Sequence, residues 1–329
     1  MSIKTAVIGL TGIGLGVGLA TYRHKSNALL YKDASLPDTV QSNNDVWQRA
    51  SKGIVNPSSF FKFGFPGPIH DLETREEFIS CYNRQTRNPY WVLEHLTPKS
   101  LGEGKADRKN SKFMEDENIP ESFRARLKDY FRSGYDRGHQ AAAANAKFSQ
   151  SAMDDTFYLT NMSPQVGAGF NRDYWAHFEY FCRGLTKKYN DVFIVTGPLY
   201  LPKKDPKDGK FRVTYEVIGN PPNIAVPTHF FKLIVAGKDI KSVGSSEDVV
   251  VGAFVLPNEP ISNETKLTDF QVPVNALERA SGLEFLKNFP MNKRKMLCQE
   301  VNCQIVVRDF SNKALPPNKS LPLLPPGKN

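Results

Sequence analysis

The feature that most constrains the fold is a series of β-branched or alternating segments in the second half of the chain. Residues 192–196, 211–218, 228–235, 249–256 and 304–308 all read as strands. Asp208-Gly209 supplies a hairpin turn within the series. Upstream, residues 78–82 and 90–96 read as two more strands around a turn-like Asn88-Pro89, and 157–160 as another before a loop at 161–169. Helical pattern falls at 120–131, 171–185 and 274–289, in no regular rhythm with the strands. A doubly wound sheet requires strands and helices to alternate. The pattern therefore predicts an α+β fold with a mixed, largely antiparallel central sheet.

The chemistry sits in a narrower region. Asn171, Trp175 and Glu179 are spaced four apart, so a helix puts an amide, an indole and a carboxylate on one face. On spacing alone, Trp175 belongs to the core, and Asn171 and Glu179 to a solvated edge. Asp136-Arg137-Gly138-His139 lies 32 positions before Asn171. A single histidine is more often structural than catalytic. Here it follows a glycine, which allows a crowded backbone. Phosphodiester hydrolysis needs a base for the attacking water and positive charge for the growing negative charge on oxygen. Histidine and a hard, oxygen-ligated cation are residue and ion types that meet those needs.

Asp136-Arg137-Gly138-His139-Gln140, the small residues 141–144, the stretch from Met153 to Gln165, and then Asn171, Trp175 and Glu179 agree in order and spacing with a known pattern. On these motifs the chain resembles the DNA/RNA non-specific endonucleases, nearest the mitochondrial endonuclease G branch and its fungal members. The resemblance covers about residues 60–310. It implies a ββα-metal (His-Me finger) nuclease fold, in which two strands present His139 and the next helix presents Asn171.

It also implies roles. His139 would be the general base and Asn171 the direct protein ligand of one Mg²⁺, with Mn²⁺ able to substitute. Glu179 would hold the ion through a water. Arg108, in Asp107-Arg108-Lys109-Asn110, would stabilise the charged phosphorane. Arg137 would contact phosphate or orient the site, with an ion pair to Asp136 as its structural alternative. Asn161 would help to fix site geometry. The 166–170 loop is about one residue longer than in some relatives, which bears on the depth of Asn171. The implied substrates are DNA and RNA, double- and single-stranded, cut to 5′-phosphate and 3′-hydroxyl ends, and the implied assembly is a homodimer. The alternatives are a non-catalytic nucleic-acid-binding protein and a membrane-anchored interaction protein.

Composition supports a polyanionic partner: 43 Lys and Arg against 34 Asp and Glu leave a net charge of +9. Lys203-Lys204, Lys207 and Lys210, and the run Lys293-Arg294-Lys295, are candidate contacts, although ordinary solvated surface explains them as well. Cys81, Cys182, Cys298 and Cys303 form no C-x-x-C pair. They read as buried or free thiols, not as a zinc site or disulfide scaffold. A Cys298–Cys303 pairing stays open in an oxidising compartment.

The first thirty residues contain an uncharged stretch, residues 5–22, followed by Arg23-His24-Lys25. Its length, about 27 Å as a helix, is marginal for a membrane span. Gly12/Gly16 and Gly14/Gly18 form small-xxx-small faces. No G-x-G-x-x-G and no βαβ unit accompany these glycines, which removes a dinucleotide loop. A mitochondrial presequence, a short anchor and a secretory signal ending near Gly18-Leu19-Ala20 compete. The resemblance favours mitochondria, at the inner membrane or in the intermembrane space, with secretion as the alternative. The expected organisation is a targeting or anchor segment (1–30), a polar linker (31–55), a nuclease body (56–312) and a Pro-rich tail (313–329).

Overall fold

The computed structural model describes residues 71–102, 104–240 and 249–307. The N-terminal segment, the linker, residues 56–70 of the expected body and the Pro-rich tail lie outside the described residues. In chain order the elements that place the site are β1 (Asp71–Thr74), β2 (Phe78–Asn83), β3 (Asn88–Leu96), β4 (Asp136–His139) and β5 (Met162–Gln165). They continue with α1 (Trp175–Gly184), β6 (Asp191–Leu199), β7 (His229–Gly237) and β8 (Val249–Pro257). β9 (Gln271–Val272), α2 (Val274–Ser281) and β10 (Arg294–Met296) complete the set.

Among the described residues an eight-stranded sheet runs β1-β2-β3-β6-β7-β8-β9, with β10 also on β8. Every pairing is antiparallel except β8 with β10. The centre is long and apolar. The edges are short: β1 has 4 residues, β9 has 2 and β10 has 3.

Alternation along the strands gives the sheet two buried faces, as its period of two requires. Phe193, Val195, Phe231, Leu233 and Val235 pack on one side with Trp91, Leu277 of α2, Phe285 and Phe289. Val192, Ile194, Phe230, Ile234 and Phe254 face the other side and cover Trp175, Phe178 and Cys182 of α1. The helix carrying Trp175 is thus fastened directly to the middle of the sheet.

The α+β expectation holds, and several local expectations change. The β2–β3 turn lies at residues 84–87, where Arg87 has φ +54°, and Asn88-Pro89 already belong to β3. The 120–131 helix is broken into a 3₁₀ turn, Glu121–Phe123, and a short helix, Leu127–Tyr130. Two competing bonds explain the break. The Arg124 side chain turns back to Ile119 O, and Ala125 N donates to the Tyr82 hydroxyl, leaving Arg124 and Arg126 extended. The 274–289 helix stops at Ser281, because Gly282 adopts φ +72° and its N–H caps Glu278 O.

The 211–218 strand survives only as two short pieces. Phe211–Arg212 pair with Lys203–Lys204 across Asp208-Gly209, and Val217–Ile218 pair with Ile224–Ala225. Residues 304–307 form no strand, and residues 157–160 contribute a single bridge from Tyr158 to Met114 before the 3₁₀ turn Leu159–Asn161. Conversely, the expected loop at 161–169 contains β5, despite Pro164. Cys298 and Cys303 are joined in a disulfide, whereas Cys81 and Cys182 are buried thiols, so the all-thiol reading is corrected for one pair.

Candidate active site

β4 and β5 pair antiparallel, with Asp136 opposite Gln165 and His139 opposite Met162. Gly138 makes the close approach possible, because a Cβ there would lie 1.9 Å from Gln165 Oε1 and 2.5 Å from its Cγ. The chain leaving His139 is clamped by the buried Asn161. Its Oδ1 accepts from Ala141 N (2.9 Å), while its Nδ2 donates to Ala141 O (3.0 Å) and Thr156 O (2.8 Å). Its backbone O also accepts from Gln140 N (3.0 Å). With those bonds filled and no exposed surface, Asn161 holds the backbone that carries His139.

The His139 ring is buried edge-on against Phe157, with centroids 4.8 Å apart, and lies 5.9 Å from the Phe113 ring. Its Nε2 has no hydrogen-bond partner. Burial, reinforced by the Arg108 guanidinium, lowers its pKa to about 3. The imidazole is therefore neutral at physiological pH and carries a lone pair that can accept a proton.

Between β5 and α1 the backbone makes a wide turn. Asn171 N donates to Val166 O (2.9 Å), five residues back, and Trp175 N bonds Phe170 O in the same spacing. Gly169, at φ +77°, has no room for a side chain: a Cβ would come within 2.7 Å of Pro260. Ile261 N to Gly169 O (3.0 Å) and Val166 N to Asn258 Oδ1 (2.9 Å) fasten the turn.

Asn171 is aimed by Asp136. Its Nδ2 donates to Asp136 Oδ2 at 2.9 Å, and Arg172 grips the same carboxylate through Nε and Nη2, both at 2.7 Å. Burial works to raise the Asp136 carboxyl, but the bonds from Arg172 and Asn171 outweigh it and hold the group below its usual range. The carboxylate is thus taken up by Arg172, and Arg137 lies instead over the Phe113 ring, 4.0 Å from its centroid. Arg108 stands 5.4 Å from the Phe157 centroid. Arg108, Arg137 and Asn171 line one cavity of about 510 Å³.

Glu179 lies two helical turns beyond Asn171, half-buried. Burial pushes its carboxyl up, while the charges of Lys232, Arg183 and Arg108 pull it back. Trp175 is core, as its spacing suggested.

A buried polar set beneath this layer escaped sequence reasoning. Lys232 is 1% exposed, stands opposite Thr196, donates to its Oγ1 (2.8 Å) and sits 4.8 Å from the Trp175 ring centroid. Glu94 and Glu77 are equally buried, and Glu94 Oε1 accepts from Asn145 Nδ2 (2.6 Å), whose own Oδ1 accepts from Arg183. Burial raises both carboxyls, Glu94 to about 7, and the nearby Lys232 ammonium opposes the rise. The readable signal was a charge inside an otherwise apolar strand: Lys232 in HFFKLIVAG and Glu94 in NPYWVLEHL.

The site is suited to a hard cation held by few protein ligands. Because a carboxylate only accepts, Asp136 must face the Asn171 NH₂. That leaves Asn171 Oδ1 as the amide atom without a hydrogen bond among the described residues. No group of three His, Cys, Asp or Glu that could cage an ion occurs among them either. One neutral oxygen with room for water and phosphate fits an ion that keeps its hydration shell, such as Mg²⁺.

Comparison with known proteins places this geometry. Residues 56–292 match the family model described as DNA/RNA non-specific endonuclease. The mitochondrial nuclease of Saccharomyces cerevisiae is 66% identical over 332 residues, covering 100% of this chain and 99% of that protein. Nuclease 1, mitochondrial, of Schizosaccharomyces pombe is 50% identical, covering 92% and 93% respectively. Human endonuclease G, mitochondrial, is 44% identical over 69% of this chain and 73% of its own length. A crystal structure of an EndoG/EndoGI complex superposes with TM-score 0.68 at 44% identity, covering 73% of this chain and 94% of that one.

Proposed function

This chain belongs to the DNA/RNA non-specific endonuclease family, and from that premise we propose that it hydrolyses phosphodiester bonds of DNA and RNA without sequence preference, using His139 as general base beside a single Mg²⁺ on Asn171. The observation that carries the reading is a buried, neutral His139 on the strand whose Asp136 holds the Asn171 amide and leaves its oxygen open. When bound, the ion (Mg²⁺, or Mn²⁺ in its place) supplies positive charge beside the leaving 3′ oxygen.

The remaining work falls to the protein's own side chains. His139 takes the proton of the attacking water, its ring packed against Phe157 and near Phe113. Arg108, exposed and standing near Phe157, neutralises charge growing on the phosphoryl oxygens. Arg137, braced by Phe113, contacts phosphate or orients the pocket. Glu179 would help to hold the ion through a water, and Asn161 keeps the His139 backbone in register. Inversion of a phosphate by water in this frame leaves 5′-phosphate and 3′-hydroxyl ends. A site that reads phosphate through Arg108 and Arg137 takes DNA or RNA alike.

The names of the relatives support a mitochondrial location, and the family resemblance alone points on to the inner membrane or the intermembrane space. The uncharged stretch 5–22 supports membrane association of the N-terminal segment. Family resemblance supports a homodimer. A plasmid-nicking assay tests the core of the proposal: the purified chain should relax supercoiled DNA with Mg²⁺ or Mn²⁺. Intact plasmid under those conditions would remove the enzyme reading, and equal cleavage in EDTA would remove the ion.

A further inference from the structure

On the rim of the cavity that holds Arg108, Arg137 and Asn171 stands Phe131, 72% exposed and a member of no hydrophobic cluster among the described residues. Leaving a phenyl ring in water forgoes the stabilisation its burial would bring. The turn that presents it is nevertheless closely fastened. Phe131 N bonds Lys128 O, Ser133 N bonds Tyr130 O, and Tyr135 N bonds Ser133 Oγ, at 3.2 Å each. Arg132 next to it is held at φ +55°, a left-handed backbone that strains a non-glycine residue. Its guanidinium lies 5.0 Å from the Phe131 centroid. At the root of the turn, Tyr130 is buried. An exposed ring on a pinned turn, with a guanidinium beside it and three more (Arg108, Arg137 and Arg172) in the adjoining cavity, combines a π-face with anion-binding charge.

We propose that Phe131, backed by Arg132, is a stacking platform for an unpaired nucleobase next to the phosphate being cleaved, so that the site favours single strands over closed duplex. This rests on the nuclease reading of the adjoining cavity. Bases inside a duplex already have both faces covered. An unpaired base has a free face, and stacking on an aromatic ring is indifferent to sequence. The platform adds affinity for strand state without adding sequence specificity.

The test is binding by the full-length chain in EDTA, where cleavage is not required. The probes are an oligonucleotide carrying 2-aminopurine as a single strand and the same sequence as duplex. Wild type should quench the single-strand fluorescence. Phe131→Ala should lose that quench and weaken single-strand binding roughly fivefold to a hundredfold, the range of one base–aromatic stack. The penalty on duplex should be at least severalfold smaller, and Phe131→Trp should restore the single-strand signal. A Phe131→Ala protein that keeps the quench and binds within twofold of wild type overturns the proposal. Equal weakening for single strand and duplex also overturns it. A wild-type chain that binds and quenches but cuts nothing with Mg²⁺ would count against the nuclease reading alone.

Discussion

Asp136 Oδ2 accepts a hydrogen bond from Asn171 Nδ2 at 2.9 Å, across 35 positions of sequence. A carboxylate has nothing to donate, so this contact decides which way the Asn171 amide faces. Asp136→Asn would keep the shape but allow the partner amide to turn over. The ion concentration for half-maximal cleavage should rise by about 10- to 100-fold, as when other supporting partners of metal ligands are lost. A Mg²⁺ titration of Asp136→Asn that superimposes on wild type would sink this role.

His139→Ala should lower plasmid cleavage by about 10²- to 10⁴-fold, the usual worth of a general base. Binding to an oligonucleotide in EDTA should persist, because Arg108 and Arg137 remain in the cavity. Substantial residual turnover would move the base to another group.

His139 also links stability to acid. Its pKa is about 3 in the folded chain, below the ordinary 6.5, so the unfolded chain binds more protons between those values. Its contribution is fully present above about pH 6.5 and is lost as pH falls toward about 3, on the order of a few kcal/mol. Denaturant unfolding at pH 7 and pH 4 should show a smaller pH-dependent loss in His139→Ala than in wild type. The cavity left by the deletion costs the same at both pH values, so it drops out of the comparison. Parallel losses would show that His139 is not buried as a neutral ring.

Lys232→Met should destabilise the fold by about 3–5 kcal/mol near pH 8, since it leaves buried carboxylates without their cation. The folded pKa values of Glu94 and Glu77 lie above the ordinary value, so protonation favours the native state and the loss should shrink as pH falls below about 7. Thermal melts across pH 6 to 8.5 measure this. A deficit independent of pH would mean that Lys232 acts by packing alone.

His139 and Asn171 stood out because several motifs agree in order and spacing with a known family, whereas spacing alone left Asn171 on a solvated edge. The strands 192–196, 228–235 and 249–256 were legible because alternation and β-branching persist along them. What the sequence hid depends on partners far along the chain. The 120–131 helix is undone by Tyr82, some forty positions away. β5 reads as a loop because Pro164 and its polar neighbours are chosen to face β4. The Arg172–Asp136 pair exists only because β4 brings Asp136 to a residue 36 positions away. The Lys232 and Glu94 pairing becomes visible only when β3, β6 and β7 lie side by side.

The short edges of the large sheet matter for how the protein avoids its own copies. β6, β7 and β8, each 9 residues long and almost wholly buried, would be adhesive templates if left at a margin. At one margin the sheet instead offers β1, whose Asp71 pairs with Arg84 and whose Glu73 lies beside Arg75. At the other it offers β9 and β10, fragments too brief to guide a second chain into register. Among the described residues, a basic, strand-rich polypeptide thereby carries its protection against aggregation in the order of its strands, apart from the proposed cleavage site.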